Sequence, residues 1–544
     1  MTRTDATLEL QPAECVFAYH VRTKHRRERY AAGPETIDWT APPNPFREFS
    51  GCERTLLPLN AVSLSATYGD VFSAGAVAPR ELSLQSLGML LELSMAISAW
   101  KEYGTDRWAV RCNPSSGNLH PTETYVLARG IRGLGDGLHH YVVRDHALEQ
   151  RFKADGEETR TSELWIGLSS VHWREAWKYG ERAFRYCQID TGHALGALRI
   201  AAGVLGWTLR LVDDCRGSAL ARLLGHDRHA DFSGVEYEEA DLLLKVAPFE
   251  AADAPVRMPD LGSGAWTGRA NMLDPHPMYH WPVIDAVAAA TRDGPVHNEN
   301  PKLFPPRSSS GVSAEATQLI LGRRSAQHFD PQFVMPASDF YRMLDRLLPR
   351  DCAPWDVWAF TPRLHPLIFV HRIDGLDPGV YMLVRRSGME TDLKSAFDPE
   401  FLWHGISDAP AHLPLFRLAS RNCRKIAKML SCLQAIAGDS CFSMGLIAEF
   451  SSVIGTNPWR YRQLHWEAGL IGHLLYLEAE ALDLRGTGIG CFFDDDVHDA
   501  VGLTGLEFQS LYHFTVGRAL TDDRISTLPP YSDRERHFPQ EQQS

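Results

Sequence analysis

Two stretches of this chain carry the same pattern. Arg185 precedes Gly192 by seven residues, and Leu198, Ala202 and Leu205 follow that glycine at +6, +10 and +13. Arg462 precedes Gly469 by seven, and Leu475, Ala479 and Leu482 hold the same offsets. The 3–4 spacing predicts two long helices with matching apolar faces. Upstream, Ile131, Gly133, Leu134 and Gly137 match Ile373, Gly375, Leu376 and Gly379, each 242 residues further on. Chance likeness between two helices explains one match, but two matches in the same order indicate duplication. A duplicated unit inside one chain can form a pseudo-dimer, the covalent form of a symmetric pair.

The chain divides accordingly. Residues 1–40 form an N-terminal arm whose densest basic run is Tyr19-His20-Val21-Arg22-Thr23-Lys24-His25-Arg26-Arg27. Such runs are usually a solvated face or an arm packed on a neighbour. Residues 41–250 make the first globular unit. In it Ser83–Trp100 has helical spacing, while Tyr125–Ala128 and His139–Val143 predict strands. Residues 251–310 hold nine prolines and few apolar runs, which places the inter-unit connection there. A short helix near Pro282–Thr291 punctuates it. Residues 311–525 form the second unit, and 526–544 read as a disordered polar tail.

A net charge of −13 argues against nucleic-acid or anionic-membrane partners. Runs such as Leu87–Ile97 are too short to span a bilayer. Ten cysteines occur singly and never as Cys-x-x-Cys, which points away from a zinc site or disulfide framework and toward a reducing cytoplasm. Asp494-Asp495-Asp496 with His498 lacks a second ligand cluster, so an acidic loop is expected and no metal. Asp190-Thr191-Gly192-His193 has no nucleophile elbow, and Asp190 is expected to cap a helix. No Gly-x-Gly-x-x-Gly follows a strand, so a Rossmann nicotinamide site is not indicated.

Three stretches have the composition of a binding site. Arg111-Cys112-Asn113-Pro114-Ser115-Ser116-Gly117-Asn118 is a polar turn, stiffened by Pro114, that feeds the strand at Tyr125. Leu321-Gly322-Arg323-Arg324-Ser325-Ala326-Gln327 sets two guanidiniums beside a hydroxyl, a donor set that suits phosphate. Arg485-Gly486-Thr487-Gly488-Ile489-Gly490 offers bare backbone against which a flat ring could lie. Phe514-Thr515-Val516-Gly517-Arg518 then reads as a strand with a cation at its tip.

In order and type these pieces resemble the nitroreductase superfamily, and the SagB-type dehydrogenases of azole-forming peptide pathways most of all. The resemblance implies an α+β fold of tandem nitroreductase-like domains, mostly antiparallel sheets with packed helices, and FMN as cofactor. Carried over, the phosphate group is Arg323, Arg324, Ser325 and Arg518. Gln327 stands where the family motif usually has a third arginine. Gly488, Ile489 and Gly490 would lie along the isoalloxazine, and Ser115, Ser116 and Asn118 would reach it from the other unit. Within Trp173–Tyr186, rich in aromatics and cations, the resemblance makes Lys178 the base and Tyr179 its acid/base or orienting neighbour.

The motifs fall unequally on the two copies. The 242-residue offset puts Asp356–Phe360 in place of the Pro-Ser-Ser loop, and only Arg80 near the place of Arg-Arg-Ser. One FMN per chain is expected between the units, with the pseudo-symmetric second site degenerate. The implied activity is oxidation of a peptide azoline to an azole. The implied partners are a peptide or small-molecule substrate and a cyclodehydratase, and further pairing of the pseudo-dimer stays open. The alternatives are an NAD(P)H-dependent nitro or quinone reductase and a flavin-binding or flavin-free scaffold.

Overall fold

The computed structural model describes residues 10–156, 161–212, 217–248, 256–294, 299, 301–306, 312–532 and 534. Two antiparallel sheets repeat one plan. The first runs from Gly137–Val142 through Thr122–Arg129, Glu163–Ser170 and Glu239–Pro248 to Trp207–Leu211 at its edge. The second runs in the same order through Gly379–Leu383, Leu364–Val370, Phe442–Glu449, Phe508–Gly517 and Arg485–Ile489. In each copy one long helix intervenes in the chain before the edge strand: Ala183–Val204 in the first, Arg460–Glu480 in the second. The matched Ile-x-Gly-Leu segments make the same turn. Leu134 N donates to Ile131 O at 3.0 Å, and Leu376 N donates to Ile373 O at 3.2 Å. The fold is therefore a tandem α+β pseudo-dimer.

The two long helices pack against each other at its centre. Their apolar faces are wider than the 3–4 spacing implied. Ala183–Val204 is buried along its whole length, because one side meets the sheets and another meets the partner helix. Their arginines cross over reciprocally. Arg185 Nη1 donates to Asp494 Oδ1 of the second copy at 2.8 Å. Arg462 Nη2 donates to Glu239 Oε1 of the first at 2.9 Å.

Several expectations change. The helix from Ser83 stops early, spanning Leu84–Glu92 with Ser83 as its N-cap. Ile97–Tyr103 is instead a strand, paired with Asp106–Arg111 in a hairpin that turns at Gly104 (φ 61°). Cross-strand pairing there outweighs helical propensity. Ser526–Leu528 joins the other edge of this hairpin, and Tyr531 Oη accepts from Ile97 N at 3.0 Å, so the C-terminal stretch is ordered this far. The rest of the expected disordered tail, 533 and 535–544, lies outside the described residues. In the proline-rich stretch, Gly264–Trp266 extends the first sheet. Pro282–Ala290 forms the short helix and packs on the helix Pro12–Arg22.

The basic run belongs to an arm packed on a neighbour, with Lys24 and His25 buried and Arg22, Arg26 and Arg27 exposed. Lys24 Nζ donates to Asp495 at 2.8 Å, Arg26 pairs with Asp495 at 2.8 Å and Arg27 with Asp496. The three aspartates are not a loop but the first turn of the helix Asp494–Val501, where carboxylates suit the helix dipole.

Candidate functional site

A cavity of about 600 Å³ lies between the two copies. Three segments converge on it, namely the turn after Pro114, Arg323–Gln327, and the strand Arg485–Ile489 with Gly490 and Cys491 beyond it. The turn is held in a demanding conformation. Gly117 (φ 59°), Asn118 (φ 60°) and His120 (φ 53°) are all left-handed. Such strain for non-glycine residues persists only where neighbours enforce it. Here Asn118 Nδ2 donates to Ala109 O at 2.9 Å, and His120 N donates to Ser115 Oγ at 2.8 Å. Arg174 Nη1 donates to His120 O at 2.8 Å.

Asp190 completes the support and corrects an expectation. It caps no helix. It lies inside Ala183–Val204, buried, and accepts from Ser116 N at 3.0 Å and Ser116 Oγ at 2.9 Å. Burial pushes its carboxyl up to about 7, against the hydrogen bonds from the Ser115 and Ser116 hydroxyls and the Ser116 amide. Its place in the cavity wall was hidden because a mid-helix aspartate and a capping one look alike in sequence.

One end of the cavity is a cluster of cations. Arg323 Nε and Nη2 donate to the carbonyls of Cys112 and Arg111 at 3.1 and 3.0 Å, and its Nη1 is buried with no hydrogen-bond partner. Arg324 donates to Ser98 and to the carbonyls of Leu321 and Arg323. Carbonyls leave these charges unneutralised. Arg324 is accordingly lowered to about 10, first by burial and then by Arg323. Lys101 is lowered by burial and by Arg324 and Arg485. Glu480 is the acid nearby, and burial raises its carboxyl. Lys101 and Arg485 were not among the expected site residues. Lys101 sits on the strand that was read as helix, and Arg485 stood in the glycine motif, where its charge was the available signal.

The opposite wall is backbone and aromatic rings. A Cβ at Gly488 would fall 1.7 Å from Tyr512 Oη, and one at Gly490 would fall 2.1 Å from Tyr186 Cε1, so neither position admits a side chain. His193 Nε2 lies 3.0 Å from Tyr512 Oη. Of the expected residues, Ser115, Ser116, Asn118, Tyr179, Arg323, Arg324, Ser325, Gln327, Gly488, Ile489 and Gly490 line the cavity. Ser325 Oγ lies 2.9 Å from Tyr476 Oη.

Lys178 and Tyr179 end the helix His172–Tyr179 beside Gly117. A Cβ at Gly117 would stand 2.5 Å from Tyr179 Oη and 3.2 Å from Lys178 Nζ. Lys178 Nζ is 5.5 Å from the Trp39 ring centroid, and burial lowers its pKa although Glu175 opposes this. Glu175 itself is fully buried with neither carboxylate oxygen bonded, and burial raises its carboxyl well above the usual range. Arg518 is not brought into the cavity. Its guanidinium stacks on Phe333 at 3.8 Å while Ala519 faces inward, since neighbouring residues of extended chain point to opposite sides.

The pseudo-symmetric position carries different side chains. Arg199, 277 residues before Tyr476, donates from Nε to Asp356 Oδ1 at 2.7 Å. Trp355, Trp358 and Phe360 are buried around it. Arg210 and Leu211 occupy the strand positions of Gly488 and Ile489.

This architecture is the fold of a nitroreductase homologue of solved structure. In sequence the chain is similar to a trifolitoxin-processing protein and to a nitroreductase homologue. It is 31% identical over 170 residues to the trifolitoxin-processing protein TfxB of Rhizobium leguminosarum bv. trifolii, a match covering 28% of this chain and 46% of that one. It is 28% identical over 129 residues to a nitroreductase homologue of Methanocaldococcus jannaschii, covering 22% of this chain and 64% of the relative. The chain thus matches less than two thirds of either relative's length. The crystal structure of a nitroreductase homologue from Anabaena variabilis superposes with a TM-score of 0.67 at 21% identity, over 93% of this chain and 99% of that one. No protein-family model matches the chain. Among the described residues no helix is long and apolar enough to cross a membrane.

Proposed function

We propose that the chain is an FMN-dependent oxidoreductase that dehydrogenates peptide azolines to azoles. The observation that carries this reading is the convergence of the Pro114 turn, Arg323–Ser325 and Gly488–Gly490 on one cavity, with Lys178 and Tyr179 against the turn. The donor set fits FMN. The buried, unpartnered Nη1 of Arg323 and the cations Lys101 and Arg324 beside the Arg485–Glu480 pair suit a phosphate. Side-chain-free backbone at Gly488 and Gly490 suits a flat ring, with Ser115, Ser116 and Asn118 facing it. The different side chains at the pseudo-symmetric position, with Arg210 where Gly488 stands, support one FMN per chain.

Bound FMN would supply the hydride-accepting chemistry. The chain's own task is the proton. Loss of hydride from an azoline ring requires loss of a proton from the same ring. Lys178, made less basic by desolvation, takes that proton when neutral. Tyr179 orients it from the Gly117 side. Glu175 and Asp190 lie behind the pair and set its field. A cyclodehydratase that makes the azoline is the matching partner, in keeping with the trifolitoxin processing named for TfxB.

The test is the visible spectrum of the purified chain, followed by mixing with an azoline peptide or with NADH or NADPH. Bleaching by the azoline peptide, with azole formed, supports the proposal. Rapid bleaching by NADH or NADPH and none by the peptide would favour a nitro or quinone reductase. No flavin bound and none taken up would leave a scaffold.

A further inference from the structure

The cavity wall contains a chemical group that flavin binding does not use. Cys491 follows Gly490 directly, and both Cys491 and Gln434 face the cavity. The turn after the helix Arg424–Leu430 lies alongside. Phe493 N donates to Leu430 O at 2.9 Å, and Gln434 Nε2 donates to Cys491 O at 3.1 Å. These two bonds set the turn that carries Cys432 beside Cys491, and each thiol is the largest influence on the other's pKa. Both thiols are partly exposed. Cys432 (φ 51°) and Leu433 (φ 63°) are consecutive left-handed residues, a strained turn.

The surroundings activate one sulfur. His25, whose backbone bridges to Phe493, is the next neighbour that lowers the Cys491 pKa. Ala31 N donates to His25 Nδ1 at 2.9 Å, so neutral His25 carries its proton on Nε2. Arg182 donates to Gly490 O at 3.2 Å and lies 4.8 Å from the Phe492 ring centroid. Tyr30 lies 5.7 Å from the Phe493 ring between centroids, and Asp494 lies behind His25, accepting from its backbone amide at 2.9 Å. Cys432, then His25 and the charge of Arg182, bring the Cys491 thiol down to about 5 despite burial. Cys432 is raised first by Cys491 and then by burial, and the other described cysteines are raised by burial.

We propose that Cys432 and Cys491 are a redox-active dithiol that closes to a disulfide by exchange with low-molecular-weight disulfides entering the cavity. Cys491 thiolate attacks one sulfur of the incoming disulfide, whose S–S bond breaks and releases a thiolate that takes a proton from water. Cys432 then loses its proton and attacks the Cys491 sulfur, and the second small thiol leaves. Two protein thiols are oxidised and one external disulfide is reduced to two thiols. The closed bond would tie the Gly488–Gly490 wall to the 431–434 turn. The chemistry is independent of any bound flavin.

The test is peptide mapping of the full-length chain after incubation with oxidised glutathione and acid quenching. A Cys432–Cys491 cross-linked peptide is expected. Cys432→Ser should instead trap glutathione on Cys491, whereas Cys491→Ser should leave Cys432 unmodified. Alkylation of Cys491 in the reduced protein should slow less than about twofold from pH 8 to pH 6, where an ordinary thiol slows about tenfold per unit below its pKa. Absence of the cross-link, or glutathione settling on Cys432 in preference to Cys491, would overturn the proposal. Neither readout needs flavin or turnover, so a failure of the oxidoreductase reading leaves this one standing, and the reverse also holds.

Discussion

Gly192 and Gly469 meet where the two long helices cross. A methyl group on Gly469 would stand 2.8 Å from the Gly192 Cα and 2.0 Å from the Ile189 carbonyl oxygen. One on Gly192 would stand 2.2 Å from the Trp466 carbonyl oxygen. The residue that recurs in both copies is therefore the one on which the copies close. Backbone atoms line both sides of the contact, so no rotamer change can relieve a clash. Gly469→Ala is expected to lower stability by about 1–3 kcal/mol despite alanine's better helix propensity. Thermal unfolding followed by circular dichroism checks this, and an unchanged midpoint would refute the close crossing.

Arg324 lies at the cationic end of the cavity with its side chain donating only to carbonyls and to the Ser98 hydroxyl, none of which carries a charge. Removing it takes one charge-assisted contact from a bound phosphate. Arg324→Ala is expected to weaken FMN binding by about 2 kcal/mol, roughly 30-fold, while Arg324→Lys keeps part of the affinity. Flavin fluorescence quenching measures it. Equal affinity in wild type and Arg324→Ala would move the phosphate elsewhere.

Asp190 titrates near neutrality in the folded chain, at about 7 against an ordinary value of 3.8. The folded state thus binds this proton more tightly than the unfolded state. The contribution is complete below about pH 4 and is lost as pH rises through about 7. Relative to Asp190→Asn, the wild type should lose stability from pH 5 to pH 8. Urea unfolding of both proteins at the two pH values tests this, and parallel behaviour would show that the carboxyl is not raised.

The duplication was legible because a helix crossing that tolerates only glycine leaves its mark at equal spacing in both copies. The site segments were legible because proline, glycine and paired arginines act through local geometry. What stayed hidden depended on distance. Lys24 and Asp495 are 471 residues apart, so a basic run and an acidic triplet looked like separate features. Ile97–Tyr103 is a strand only because Asp106–Arg111 and Ser526–Leu528 flank it. Arg518 carries the expected residue type, but the alternation of extended chain turns it onto Phe333. Cys432 and Cys491 read as single cysteines until the fold sets them side by side.

Lys178 is half-buried, with Trp39 and Tyr179 against its ammonium group. As a base it acts when neutral, so oxidation of an azoline should quicken with rising pH until its lowered pKa is passed. Lys178→Ala is expected to retain FMN, to slow oxidation by about 10²-fold or more, and to lose that rising limb. Pre-steady-state flavin bleaching across pH resolves the two effects. An emptied site in Lys178→Ala would make the lysine structural.

Asp494 is the hinge between the arm and the pseudo-dimer. It is fully buried and accepts from Arg182 and Arg185, each at 2.8 Å, and from the His25 amide at 2.9 Å. The two guanidiniums hold its carboxyl far below the usual range against the cost of burial. Its folded pKa being depressed, the stability it provides is present above about pH 4 and is lost as pH falls below that. Asp494→Ala leaves two arginines buried without their counter-charge, a change that costs about 3–5 kcal/mol where a buried pair is broken. The loss should appear first at the arm, since Lys24, His25, Arg26 and Arg27 all dock on this turn. Limited proteolysis at neutral pH should therefore cut Asp494→Ala near the arm's basic run while wild type resists there. Resistance equal to wild type would mean that the arm is held by the helix Pro12–Arg22 alone.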